Sequence, residues 1–361
     1  MTIFRRLLFL VVLLGCAAPA LGYGYPKPKN WRKLKKKPAA AATAEPPPGP
    51  DIGSGWSAKA RQALDELLAV RGSSAPAYNA QVPPVAVIGY DGLGADGDAA
   101  EAVFYRLVTE VEFKLSDDFW RQVPIAYGRQ RLRADYEAFS PLDKKLWPLQ
   151  PEYRDFRKGF LSSYQRVCSL VGTRECRSYL ASLLIGFTPD EARDYAKNAL
   201  AEEAKQKPRV EAIGDSDDDP RPVRWRRGFA PRQQVARLIA ALRAAGFDVW
   251  VIGMDAQPVL LAASADLGVD SSRCLGIFQH TEHSRFNGRP KEPIPIRVGA
   301  VDALVNAVGR RPTLAVAASA SFADLLLYAD GLRVVVGDDA ELAKLLAGGA
   351  VVQPAFKAPR P

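Results

Sequence analysis

Pro84-Val85-Ala86-Val87-Ile88-Gly89-Tyr90-Asp91-Gly92-Leu93 is the stretch on which the fold turns. An unbroken apolar run of β-favouring residues, bounded by proline before and glycine after, reads as a strand buried on both faces. The Gly89 to Gly92 segment ends that strand in a tight turn, where a parallel sheet usually presents ligand-binding groups. Gly89 and Gly92 carry no side chain there, so Asp91 is the turn's only carboxylate.

Outward from this strand the chain alternates helical and strand-like runs. Ala58 to Val70 has apolar residues at helical spacing. Downstream, Pro231 to Ala245 predicts a helix and Val249-Trp250-Val251-Ile252 a strand. Helix Pro258 to Leu267, strand Leu275 to Phe278, helix Val301 to Val308, strand Thr313 to Val316, helix Phe322 to Tyr328 and strand Arg333 to Val336 follow. That alternation predicts an α/β fold with a mostly parallel sheet. Between the first two strands lies a segment, roughly 99–222, that reads as almost wholly helical and is rich in Tyr, Phe and Arg. It closes on the acidic loop Asp215-Ser216-Asp217-Asp218-Asp219-Pro220.

Four positions along this pattern resemble the motif stations of the haloacid dehalogenase superfamily, in its exported bacterial branch with a helical cap after the first motif. The first reads Gly89-Tyr90-Asp91-Gly92-Leu93 where the family carries Asp-x-Asp-x-(Thr/Val). Gly97-Asp98-Ala99-Ala100-Glu101 is similar to its Gly-Asp-x-x-Glu run, and the resemblance covers about 80–360. It implies a Rossmann-like parallel core at 56–98 and 223–361, with a cap insertion at 99–222. It also implies Mg²⁺-dependent phosphomonoester hydrolysis, in which one carboxylate attacks phosphorus and a second protonates the leaving oxygen. A hydroxyl and a lysine hold the phosphoryl oxygens, and a further carboxylate helps to bind the metal.

Carried onto this chain, the nucleophile position is Gly89, while the acid/base position keeps Asp91. The second station's hydroxyl is replaced by Gly253, the third station's lysine by Ala300, and the metal-binding aspartate of Ala317-Ala318-Ser319-Ala320-Ser321-Phe322-Ala323-Asp324 by Ala318. Asp91 and Asp324 are the remnants, a poor pair for Mg²⁺. Glycine cannot attack phosphorus, so the resemblance implies a pseudo-phosphatase with no cofactor. The alternative is a Mg²⁺-dependent phosphomonoesterase of small phosphorylated metabolites with shifted groups. Candidates for such a shift are Asp96-Gly97-Asp98, Gly214-Asp215-Ser216-Asp217 and Asp255. His280-Thr281-Glu282-His283 offers metal-type ligands on what reads as a loop, and Arg226-Arg227-Gly228 reads as surface arginines beside the cap hinge.

The N-terminus reads as a processing segment, 1–22: Arg5 and Arg6, then apolar Leu7 to Leu14, then small residues. Cleavage after Ala20-Leu21-Gly22 and a lipobox at Leu13-Leu14-Gly15-Cys16, with Cys16 lipidated, are both compatible with it. The expected location is the periplasm, free or membrane-anchored. Residues 23–55 read as a disordered tether, with seven basic groups against Glu45 and Asp51 and a Pro46-Pro47-Pro48-Gly49-Pro50 spacer. Of the formal charge of +9 most therefore sits outside the folded body, which argues against a nucleic-acid-binding fold. An anionic envelope surface is the partner such a tail suits. Export permits disulfides: Cys168 and Cys176 are close enough in sequence for a local bridge, leaving Cys274 unpaired, and three reduced cysteines is the other reading.

Overall fold

A computed structural model describes residues 51–339, 342, 344, 346 and 349–357. The leader, Cys16 and residues 23–50 of the tether lie outside the described residues.

Helix α1 (Ala58–Arg71) is capped by the Ser57 hydroxyl, which accepts from the Ala60 N–H, and buries Ala60, Leu64 and Leu68. Strand β1 (Val85–Gly89) follows, buried at every residue. Short β2 (Ala95–Asp96) then leads into α2 (Ala99–Glu110), whose N-terminus is capped by Asp98. The insertion continues with α3 (Asp117–Gln122), α4 (Arg129–Phe139), α5 (Pro151–Val171), α6 (Thr173–Ser182) and α7 (Pro189–Ala204). It closes with an antiparallel hairpin of β3 (Arg209–Ile213) and β4 (Val223–Arg227). The chain returns through β5 (Ala230–Pro231), which pairs with β2, and α8 (Gln233–Ala244) to β6 (Asp248–Ala256). Helix α9 (Gln257–Ala263), strand β7 (Cys274–Ile277) and the hairpin β8 (Gln279–Glu282) and β9 (Arg285–Pro290) come next. Last are α10 (Val298–Val308), β10 (Leu314–Ala317), α11 (Ala323–Tyr328), β11 (Leu332–Val336) and β12 (Val351–Gln353).

The main sheet runs β12-β11-β10-β1-β6-β7, all parallel. Val87 stands between Trp250 of β6 and Ala315 of β10, which accounts for the continuous apolar run of β1. From β1 the chain builds first toward β7, then returns to the other side and builds toward β12. The strand order reverses at β1, so the crevice beyond the carboxyl ends of β1 and β10 is the switch point where such sheets bind ligands. The fold class is the expected one: an α/β parallel core with a largely helical insertion after its first strand.

Three sequence expectations need correction. The insertion is not wholly helical. In β4 the residues Val223, Trp225 and Arg227 point inward while Arg224 and Arg226 face solvent, and the hairpin carries the insertion beyond 222 to Arg227. His280 to Glu282 is strand rather than loop, and His283 and Ser284 form its two-residue turn with φ of 48° and 65°, the backbone a type I′ hairpin demands. The tether does not run to 55, because Ile52 and Gly53 are buried and the Asp51 carboxylate accepts from the Gly53 N–H.

The aromatic richness of the insertion has a structural purpose. Phe104, Phe113, Phe119, Phe156 and Phe160 pack on one another, with Phe113 stacked on Phe160 at 5.2 Å between centroids. Each such pair adds about 0.5–1.5 kcal/mol beyond its area burial. This cluster is continuous with the apolar core of the sheet. Helix α6 packs on β6 and α7 on α9, so the insertion is docked over the sheet. The Cys168–Cys176 disulfide ties α5 to α6, and Cys274 is free and buried.

Candidate functional site

The turn after β1 is held by its own backbone. Leu93 and Gly94 N–H groups both donate to the Tyr90 carbonyl, and the Tyr90 N–H donates to Ile252 O across the sheet. The Tyr90 ring turns into the core, where its hydroxyl donates to the Ala263 carbonyl at 2.9 Å. These bonds leave Gly89 as the last residue of β1 and Asp91 in the turn beyond it.

What occupies the crevice was not legible in the sequence. A Cβ built on Gly89 meets the Phe322 ring at 2.7 Å, and Phe322 is completely buried. Its ring fills the volume that a side chain at 89 would need. At the second station a Cβ on Gly253 meets Leu260 at 2.6 Å. Hydrocarbon from α9 and from the turn ahead of α11 therefore packs against both glycines. Ala300 is fully buried on the inner face of α10. Ala318 follows β10 directly, and the next residue, Ser319, spends its hydroxyl on the Ser321 N–H.

The two carboxylate remnants are separated in role. Asp324 pairs with Arg297 at 3.0 Å, and Arg297 also donates to the Ala320 carbonyl. Asp91 is buried and accepts from the Met254 N–H at 2.7 Å. Burial pushes its carboxyl up to about 6, against the pull of Arg177 and with a push from Asp98.

Arg177 of α6, unremarked in the sequence, organises the polar groups that remain. It donates through both Nη atoms to Asp98, with Nη1 to Oδ1 at 2.9 Å, and Nη1 also reaches Asp255 Oδ1 at 3.4 Å. Asp255 is almost fully buried, and its Oδ2 has no hydrogen-bond partner. Burial, followed by the charges of Asp91 and Asp98, pushes the Asp255 carboxyl well above the carboxylate range. Burial would raise Asp98 too, but Arg177 overrides it and holds Asp98 low. Glu101 is raised by burial and by Asp98, and accepts from the Tyr164 hydroxyl at 3.0 Å.

The other candidates are engaged elsewhere. Asp96 pairs with Arg226 at 2.7 Å and Arg232 at 3.5 Å. Asp215 and Asp217 lie in the β3–β4 connection, paired with Lys158 and Arg154. Arg227 is not a surface residue: it forks onto Glu203, bonds Glu211 at 2.5 Å and lies 3.7 Å over the Tyr105 ring. His280 and His283 are exposed on the β8–β9 hairpin, and among the described residues no group of three His, Cys, Asp or Glu could hold a metal ion. The Mg²⁺ that the resemblance implies does not fit these residues. Gly89 and Ala318 supply no side-chain oxygen ligand, Phe322 fills the space, and Asp324 is held by Arg297.

No family model matches the chain, and no curated protein matches it. Among solved structures it is similar to a conserved protein of unknown function from Anaerococcus prevotii, at 18% identity and a TM-score of 0.70, over 82% of this chain and 92% of that one. That likeness shows a shared fold. Weaker likenesses are to a HAD family hydrolase from Salmonella enterica serovar Typhi (10% identity, TM-score 0.36, 74% of this chain and 73% of that one) and to cytosolic 5′-nucleotidase IIIB bound to cytidine (10% identity, TM-score 0.40, 83% and 86%). At these scores neither bears on the argument.

Proposed function

We propose that the chain is a haloacid dehalogenase-like protein without phosphomonoesterase activity, exported and acting as a binding or structural protein of the cell envelope. The observation that carries this reading is the Phe322 ring packed over Gly89, where phosphoryl chemistry needs a carboxylate and open space. Leu260 against Gly253 supports it independently. A scaffold without its site confers no activity. The Cys168–Cys176 disulfide supports an oxidising compartment, and the basic residues of 23–50 suit an anionic envelope surface.

Calorimetric titration of the full chain with orthovanadate and inorganic phosphate, with and without Mg²⁺, tests the reading. No binding is expected. Saturable binding that Mg²⁺ strengthens would return the crevice to ligands and sink the proposal.

One observation favours a second reading. Asp91 and Asp255, both buried and both raised, stand with Asp98 beside the strand end, and clustered perturbed carboxylates are common at catalytic sites. On that reading the chain is a hydrolase of small phosphorylated metabolites with shifted groups, and Asp91 is its acid/base. It requires metal-dependent turnover that Asp91→Asn abolishes.

A further inference from the structure

A cleft of about 390 Å³ opens in the insertion between α4, α5 and the single turn Ile125–Tyr127 ahead of α4. Its size falls within the range of about 300–1,000 Å³ that small-molecule sites occupy. None of its lining residues belongs to the crevice at the sheet. Gly159 of α5 lines it, and a Cβ at that position would meet Leu132 of α4 at 2.9 Å, so the glycine makes room for the Leu132 side chain.

Most charges lining the cleft are already answered within the protein. Arg131 bonds Asp155 at 2.7 Å, and Lys158 holds Asp215 at 2.7 Å and Asp219 at 2.6 Å. Two are not. The Asp135 carboxylate accepts no hydrogen bond among the described residues, because Arg131 Nε stands 3.8 Å from its Oδ2, beyond bonding distance. The Arg166 guanidinium pairs with no carboxylate among the described residues and lies 5.5 Å from the centre of the Tyr127 ring. These two are one acceptor and one donor of opposite sign, so the cleft asks no net charge of a ligand. At its rim Ile125 is 66% exposed beside Tyr127. Helix α4 starts there from Gly128 without a side-chain cap, which leaves backbone N–H donors free, and Ser162 adds a hydroxyl that both donates and accepts.

A simple anion would meet Asp135, Asp155 and Asp215 in this cleft, and a simple cation would meet Arg131, Lys158 and Arg166. The lining instead suits an uncharged molecule with donors and acceptors in similar number and one apolar face. Sugar hydroxyls each donate and accept, and the C–H face of a sugar ring packs on apolar and aromatic side chains. We infer that this cleft binds a neutral saccharide, with hydroxyls bonded to Asp135 and Arg166 and the apolar face of its ring toward Ile125 and Tyr127. The inference stands apart from the reading of the crevice and holds whether or not that crevice is inert.

Calorimetric titration of the full chain with glucose, N-acetylglucosamine, maltose and cellobiose at millimolar concentration is the test. At least one of the four is expected to saturate a single site per chain. Because the ligand is neutral, its affinity is expected to change by less than about twofold between low and high salt. Asp135→Ala and Arg166→Ala are each expected to weaken binding by about tenfold or more, the worth of one hydrogen bond to a charged group. Arg166 is exposed, so Arg166→Ala is expected to keep the wild-type melting temperature, which separates lost binding from lost folding. Absence of saturation by all four sugars, or binding that either variant retains in full, would overturn the inference. So would glycine or inorganic phosphate binding there in a sugar's place and weakening in high salt, since the cleft would then read charge. Failure here is separable from failure of the proposed function. An inert crevice without saccharide binding overturns only this inference, and phosphoester turnover with saccharide binding intact overturns only that reading.

Discussion

Asp91 is buried beside Asp98 and within reach of Arg177, and its energetics should show that. Its carboxyl is raised to about 6 by burial, so between the ordinary carboxylate range and that value the folded chain binds more protons than the unfolded one. Stability from this group is therefore full at low pH and is lost as pH rises through about 6. Two pKa units correspond to a loss on the order of 2–3 kcal/mol. Asp91→Asn is expected to raise the melting temperature at about pH 7.5 and to match the wild type near pH 4, as thermal unfolding across that range would show. A variant less stable than wild type at neutral pH would mean the charge is held by something the crevice geometry does not supply. Gly89→Asp should not restore a nucleophile. It drives a side chain into a buried ring, and overpacking of that kind costs about 1–3 kcal/mol before the new carboxylate is desolvated. Combining it with Phe322→Ala should relieve part of that loss, and urea titration of the two single variants and the double variant measures the coupling. The small residues at 89, 253, 300 and 318 were legible in the sequence, because an absent side chain is visible as a letter. What packs against them was not. Phe322 is far from Gly89 in sequence, and although Leu260 follows Gly253 by only one helical segment, only the folded chain shows that each packs against a glycine. Arg177 went unnoticed for the same reason, since its partners lie 79 and 78 residues away.

Elements were readable where their periodicity was undisturbed. Helix α7 begins at Thr188-Pro189, an ordinary helix start, with a full capping box between Thr188 and Glu191. The apolar runs of β1, β10 and β11 fell where a buried parallel sheet requires. The β3–β4 hairpin escaped because its inward positions include a charge. Val223, Trp225 and Arg227 alternate as a strand should, but an arginine facing the core reads as polar in a one-dimensional pattern. The structure makes it tolerable: Arg227 and Glu203 are both buried and form a forked pair, with Glu211 and the Tyr105 ring completing the shell. Removing one partner of such a pair strands the other charge. Arg227→Ala is therefore expected to cost about 3–5 kcal/mol, measured by equilibrium unfolding in urea. A loss below about 1 kcal/mol, the range of surface pairs, would show that solvent reaches Glu203.

At the scale of the molecule, the proposed function separates fold from chemistry. Strand order reverses at β1, a topology that often binds ligands at its strand ends, while Phe322 packs against Gly89 at that end. Helix α6 packs on β6 and α7 on α9. Recognition would then fall to surfaces outside the crevice, and the basic residues of 23–50 are the first to test. Deleting 23–50, and sparing Ile52 and Gly53 because both are buried, is expected to leave the melting temperature unchanged. It should also weaken sedimentation with vesicles containing anionic lipid, by about 1 kcal/mol for each basic group lost. Equal sedimentation with and without the tail would remove the envelope surface as its partner. The central claim, that the crevice is filled and inert, meets its most direct test in one assay. The purified full chain would be presented with a panel of phosphomonoesters and Mg²⁺, beside Asp91→Asn. The account predicts no turnover above the buffer rate and no difference between the two proteins. Metal-dependent turnover by the wild type that disappears in Asp91→Asn would contradict it, and would make the chain a hydrolase with a rebuilt site.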